Sequence, residues 1–139
     1  DVIFPACGNA GTGAYEAARD QGVWAIGNDQ DVATKYASSD ESIQKIILAS
    51  VMKKVDNAVL NAYGKYVDGT LPFGTQETVG VAEGGAGLVK NEYYEQTVPE
   101  EVRTVVDEFE QKITSGEIQV PTAIGMSAEE IEATVNSAQ

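Results

Sequence analysis

Val2-Ile3-Phe4, Gly8-Asn9-Ala10-Gly11-Thr12-Gly13 and Val23-Trp24-Ala25-Ile26-Gly27-Asn28-Asp29-Gln30-Asp31 decide the class of this chain. The first is an apolar run without alternation, the pattern of a short strand buried on both faces of a parallel sheet. The second is a glycine-rich loop, and it predicts a helix from about Ala14 to Gln21 with Gly22 as the C-terminal cap. The third is another short strand, Val23 to Gly27, ending in four polar residues. Strand, helix and strand in that order predict two parallel strands joined by a right-handed crossover.

Outward from this unit, Val32 to Ala37 reads as a short helix and Lys45 to Ala49 as a third strand. A long helix is predicted from Ser50, with Val51, Val55, Val59, Ala62 and Tyr66 on one stripe and Gly69 ending it. Thr78 to Ala82 reads as a fourth strand that leads into a tight turn or bulge over Glu83 to Leu88. Thr97 three positions before Glu100, with Pro99 in the first turn, predicts another helix. Its apolar stripe is Val102, Val105, Val106, Phe109 and Ile113. Ser127 three before Glu130 has the same capping-box spacing and opens a last short helix. No internal repeat or low-complexity linker interrupts the chain. The expected class is α/β, one mostly parallel sheet with helices on both faces.

Composition narrows the function. The chain has 139 residues, enough for one domain with a sizeable core, and 42% are hydrophobic. Nine Lys and Arg against 22 Asp and Glu leave a formal charge of −13, which would repel nucleic acid or an anionic membrane surface. With no histidine and one cysteine there can be no Ser-His-Asp or Cys-His nucleophile, no Cys/His zinc cluster and no internal disulfide. No metal site and no cofactor are expected. No apolar stretch approaches a membrane span, and the first residues do not read as a signal peptide. The chain opens inside a strand-like run, which predicts a further N-terminal part.

Three features are candidates for a site. The loop from Gly8 to Gly13 lies past the carboxyl end of a strand and at a helix N-terminus, where open α/β sheets bind ligands. It is equally readable as a tight strand-to-helix turn. Asp29, 21 positions after Gly8, falls where a dinucleotide-binding fold places the acid that accepts from ribose hydroxyls. As a structural residue it would be a loop or cap carboxylate, and Asp31 reads as a cap. Lys53, in the first turn of the expected long helix, is poorly placed for the helix dipole unless a carboxylate such as Asp29 compensates it. Otherwise it is a solvated lysine like Lys54. The loop reads GxxGxG and not GxGxxG, with no Walker A pattern, so a neutral sugar-bearing ligand fits better than a phosphorylated one. Cys7 reads as a buried structural thiol without catalysis.

Taken in order, several motifs resemble the second half of the basic membrane protein (Bmp) family of substrate-binding lipoproteins, to which purine nucleoside receptors of ABC transporters belong. They are the Asp1 to Phe4 run with Gly8 to Gly13, Trp24 to Gly27 with Asp29 and Asp31, and Met52-Lys53-Lys54-Val55-Asp56 with Ala58-Val59. The turn Glu83 to Gly87, the helix opening Val98-Pro99-Glu100-Glu101-Val102 and its exit Ser115-Gly116-Glu117-Ile118 continue the pattern to about residue 121.

The resemblance implies a type I periplasmic-binding-protein fold of two α/β lobes that close on a ligand. It would place residues 1–46 and about 78–139 in the C-terminal lobe and the helix of about 50–72 on the other lobe. Near Ile46 to Ser50 and Thr78 to Ala82 the chain would cross a hinge. The backbone at Gly8 and Asn9 would approach a sugar, Asp29 would accept from the ribose hydroxyls, and Lys53 would donate to the ribose. Where this family usually has Gly-Gly-Thr-Gly, the chain has Gly8-Asn9-Ala10-Gly11. Base-stacking and base-reading residues would lie in the absent N-terminal half.

The implied role is the extracytoplasmic, lipid-anchored solute-binding component of an ABC importer, with a nucleoside as ligand, a permease as partner and no catalysis. The isolated chain is then expected to associate with itself. Two other readings stay open: a small dinucleotide-dependent oxidoreductase using the same loop and Asp29, and a ligand-sensing module of the same fold.

Overall fold

The computed structural model describes residues 1–137. Its sheet has four strands in the order β1-β2-β3-β4: β1 Val2–Ile3, β2 Trp24–Asp29, β3 Ile47–Lys53 and β4 Ala86–Leu88. β1, β2 and β3 are parallel, and β4 runs antiparallel to β3. The helices are α1 Gly11–Gln21, α2 Val32–Tyr36, α3 Glu41–Gln44, α4 Val55–Val67, α5 Glu92–Thr97, α6 Glu100–Thr114 and α7 Ala128–Ser137. This is the expected α/β class, a mostly parallel sheet flanked by helices.

The opening strand, helix and strand form as read, with differences at the edges. Helix α1 begins three residues early, at Gly11, because Gly8–Ala10 already form a 3-10 turn that runs into it. Gly22 ends α1 in the left-handed conformation (φ 65°), where the amides of Gly22 and Val23 donate to the carbonyls of Arg19 and Ala18. β2 continues through Asn28 and Asp29, which pair with Val51 and Met52 of β3. The β1 residues are exposed and not buried: β1 is the edge of the sheet, with one neighbour, and Val2, Ile3 and Phe4 face solvent.

The core lies where α1, α2 and α3 cover β2 and β3. Tyr15, Ala18, Ala25, Val32, Ala33, Ile43 and Ile47 form one cluster, with Tyr36 and Tyr93 packed against it. Each fully buried large aliphatic side chain there, such as Ile43 or Ile47, contributes about 1.5–3 kcal/mol. At its centre Gly27 leaves no room for a side chain. A Cβ there would lie 2.4 Å from Ser50 Oγ and 2.6 Å from Val32 Cγ2. That close approach lets the backbone N–H of Val32 donate to the buried Ser50 Oγ at 3.1 Å.

Beyond residue 44 the expected boundaries shift. The third strand is Ile47–Lys53, not Lys45 to Ala49, and the long helix starts at Val55, not Ser50. Val51 and Lys53 are strand residues, so the first-turn argument for Lys53 does not hold. Pairing with β2 on one side and β4 on the other extends this strand, a non-local cause that periodicity does not register. Thr78 to Ala82 is not a strand. Gly85 and Ala86 donate to the carbonyl of Gly80, closing a turn, and the fourth strand is Ala86–Leu88, inside the expected bulge. Helices α3 and α5 are additions to the elements expected from sequence. Thr97 ends α5 instead of capping the next helix, whose N-cap is Pro99.

Helix α4 has no buried residue, and Val55, Val59, Leu60, Tyr63, Tyr66 and Val67 are all exposed. It is tied to the following loop by polar contacts. Asn57 and Asn61 donate to the carbonyls of Gly84 and Glu83, and Lys65 pairs with Glu77 at 2.7 Å.

Capping carboxylates make part of the fold sensitive to acid. Asp40 accepts from the Ser42 hydroxyl and from the amides of Ile43 and Ser42, which hold its pKa below the ordinary value. Glu130 is lowered by the amide and hydroxyl of Ser127 in the expected capping box. A carboxylate depressed in the folded state stabilises it above the unfolded pKa, and the contribution vanishes as pH falls through the folded pKa. Helical circular dichroism is therefore expected to fall once pH drops below the ordinary carboxylate range. Asp40→Asn should flatten that acid limb; an unchanged pH profile would refute the assignment.

Candidate functional site

β1 ends beside Ala25, four residues before the end of β2 at Asp29, and a cleft of about 210 Å³ opens beyond their carboxyl ends between α1 and α2. Gly8, Asn9, Thr12 and Tyr15 line it from the glycine loop and α1; Asn28, Asp29 and Gln30 come from the end of β2, and Val32, Lys35 and Tyr36 from α2.

Asp29 is the one non-glycine residue with positive φ among the described residues (67°). This left-handed conformation is more accessible to Asp than to most side chains, yet it carries a strain of order 1 kcal/mol, and such strain gathers at ligand sites. It turns the chain from β2 into Gln30 and Asp31, where Asp31 caps α2 by accepting from the amide of Thr34 at 3.1 Å.

Asp29 and Lys53, 24 positions apart in sequence, approach to 3.2 Å between Oδ1 and Nζ. The register does this: Asp29 sits beside Met52, so Lys53 is one residue further along the neighbouring strand. Both side chains are well exposed (42% and 66%), so the pair adds under about 1 kcal/mol to stability. Its significance is local. It leaves a carboxylate and an ammonium together at the strand ends, an acceptor and a donor suited to neighbouring hydroxyls.

The cleft wall is aromatic. Tyr15 is buried and stands edge-on to Tyr36, with ring centroids 6.3 Å apart and planes at 76°. Burial pushes the Tyr15 hydroxyl pKa up, against the opposing hydrogen bond with the Asn28 backbone, so it stays neutral. Lys35 Nζ lies 5.8 Å from the Tyr36 ring centroid.

Of the four expected site residues, Gly8, Asn9 and Asp29 line the cleft; Lys53 is not a lining residue but touches Asp29. Thr12 joins them from the same candidate loop, and Asn28 and Gln30 from the polar cluster around Asp29, although neither was a candidate by itself. Tyr15, Lys35 and Tyr36 reach the cleft through helix packing, for which the sequence carries no signal. Cys7 is exposed, not buried, because the segment before the 3-10 turn lies on the surface. Among the described residues no three His, Cys, Asp or Glu gather to hold a metal ion, and no helix is long and apolar enough to cross a membrane.

The family model for ABC transporter substrate-binding proteins of the PnrA-like type, Bmp, matches residues 1–123. The chain belongs to the Bmp family. It is 32% identical over 130 residues to the CD4+ T-cell-stimulating antigen of Listeria monocytogenes, covering 87% of this chain and 36% of that protein. It is 34% identical over 124 residues to basic membrane protein D of Borreliella burgdorferi, covering 87% and 34%. The chain thus spans about a third of the length of these relatives. Among solved structures, a transcriptional activator of the comK gene from Bacillus halodurans superposes with a TM-score of 0.69 at 25% identity, over 88% of this chain and 39% of that one. An ABC transporter solute-binding protein from Aeropyrum pernix K1 also gives 0.69, at 22% identity over 97% and 43%. That second likeness supports the fold alone.

Proposed function

We propose that this chain forms the sugar-facing part of an extracytoplasmic solute-binding protein that carries a purine nucleoside to an ABC permease. The observation that carries this reading is the Asp29–Lys53 pair at the strand ends, with Asp29 in the cleft beside Gly8 and Asn9. A carboxylate beside an ammonium suits a vicinal diol, because it accepts from two hydroxyls while its charge stays compensated. Residues 1–53 and about 78–139 then belong to the C-terminal lobe, since β3 pairs with β2, and α4 (Val55–Val67) packs on a second lobe supplied by the rest of a full-length receptor. The uncovered apolar side chains of α4 support that assignment. Lobe closure would retain and release the ligand, with no bond made or broken. A lipid anchor on the full-length receptor would hold it at the outer face of the membrane.

Calorimetric titration of the full-length receptor with inosine, guanosine and nicotinamide dinucleotide tests the reading. Tight binding of a nucleoside is expected. Binding of the dinucleotide instead would favour the oxidoreductase, and binding of neither would end the nucleoside assignment. The isolated 139-residue chain is expected to bind nucleosides weakly or not at all and to self-associate through the uncovered α4 face. In sedimentation at micromolar concentration, a strictly monomeric chain would contradict the second part.

A further inference from the structure

Asn91 lies 60 positions from Asp31 in sequence, outside the cleft, and a hydrogen bond joins them. Asp31 is the N-cap of α2: one carboxylate oxygen accepts from the Thr34 amide at 3.1 Å, the other from the Thr34 hydroxyl at 2.7 Å. Asn91 is the N-cap of α5, its Oδ1 accepting from the Tyr94 amide at 3.0 Å. The free amide of Asn91 donates to the oxygen of Asp31 that accepts from the Thr34 hydroxyl, at 2.8 Å. Two helix caps from distant parts of the chain are thus joined through their side chains.

Only Gln30 separates Asp31 from Asp29, the residue held in the left-handed conformation. A strained conformation persists only where its surroundings hold it. Here the Val32 amide is held by Ser50 Oγ, and the Asp31 carboxylate is held by Asn91. Asn91 itself lies three positions beyond the end of β4, and Val89 donates to the carbonyl of Ser50. The end of β4, the middle of β3 and the turn carrying Asp29 are tied together by these three bonds.

We propose that Asn91 is a positioning residue for the ligand site, acting through Asp31 to hold the turn that presents Asp29. This rests on the reading of Asp29 as a ligand-binding residue, and the test separates the two.

Asn91→Asp keeps an acceptor to cap α5 but removes the amide donor and sets two carboxylates against each other. In the full-length receptor it is expected to weaken guanosine or inosine binding about tenfold or more. The exchanged pair Asp31→Asn with Asn91→Asp restores one amide and one carboxylate across the contact. An asparagine in place of Asp31 can still cap α2, and the Thr34 hydroxyl can turn to accept from its amide. Affinity should return to within about threefold of the unaltered receptor. Recovery in the exchanged pair shows that the effect of Asn91 runs through its contact with Asp31.

The ligand-independent reading is hydrogen exchange in the 139-residue chain. Amides of residues 29–32 should exchange about tenfold faster in Asn91→Asp and recover in the exchanged pair, while those near the end of α1 stay unchanged. Fast exchange that recovers, in a receptor that binds no nucleoside, would sustain the coupling and sink the ligand assignment. Unaltered exchange and unaltered affinity in Asn91→Asp, or a loss of both that the exchanged pair does not recover, would overturn the role of Asn91.

Discussion

Gly27→Ala is expected to cost about 3 kcal/mol of stability and to lower the melting temperature by about 10 °C. The added carbon would meet Ser50 Oγ at 2.4 Å, Val32 Cγ2 at 2.6 Å and Val32 Cβ at 2.7 Å, all inside contact distance. None of these can give way cheaply. Ser50 and Val32 are among the most completely buried side chains, and Ser50 Oγ is the acceptor for the Val32 amide. Relief would require α2 to move off the sheet, opening the cluster that contains Val32, Ala33 and Ile43. The same substitution at Gly13 is the control. That residue is in α1 with nothing within 4 Å of an added Cβ, so alanine there should stabilise by up to about 1 kcal/mol. Thermal denaturation followed by circular dichroism reads both. Equal effects at the two positions would show that packing at Gly27 is not what the structure implies.

Asp29→Ala in the full-length receptor is expected to weaken nucleoside binding roughly ten- to hundredfold. Removing a charged acceptor from a desolvated diol costs roughly 1.5–3 kcal/mol, and each 1.4 kcal/mol is about tenfold in affinity. Lys53 would then stand without its partner, which is 3.2 Å away in the intact protein. Alanine is also less tolerant than aspartate of the left-handed backbone at this position, where φ is 67°. Asp29→Asn separates the two effects, because asparagine accepts that backbone while giving up the charge. Calorimetry should find the Asp29→Asn variant intermediate in affinity and near normal in stability. Unchanged affinity in both variants would remove Asp29 from the site.

The residues of the opening unit determined most of the class by local rules. The apolar runs at residues 2–4 and 23–27, the helix between them and its cap at Gly22 all act over a few positions. So do the cap at Asp31 and the Ser127–Glu130 capping box, where side chains answer the unpaired amides of their own helix. Asp29 was legible for a similar reason, since a polar residue at a strand's carboxyl end after a glycine-rich turn is a local pattern. Non-local pairing decided the rest. Residues 50–53 have a sequence that suits the start of a helix, and hydrogen bonding to β2 and β4 draws them into a strand. The Gly80 carbonyl, occupied by the amides of Gly85 and Ala86, took the fourth strand from residues 78–82 and moved it to Ala86–Leu88. Lys53 was paired with Asp29 in sequence by a helix-dipole argument that its place in β3 removes; the strand register supplied the contact. Tyr15, Tyr36 and the Asn91–Asp31 bond had no sequence signal at all. Tertiary structure decided them because each depends on which surfaces of α1, α2 and α5 meet across the sheet, and that is set by the packing of the whole core.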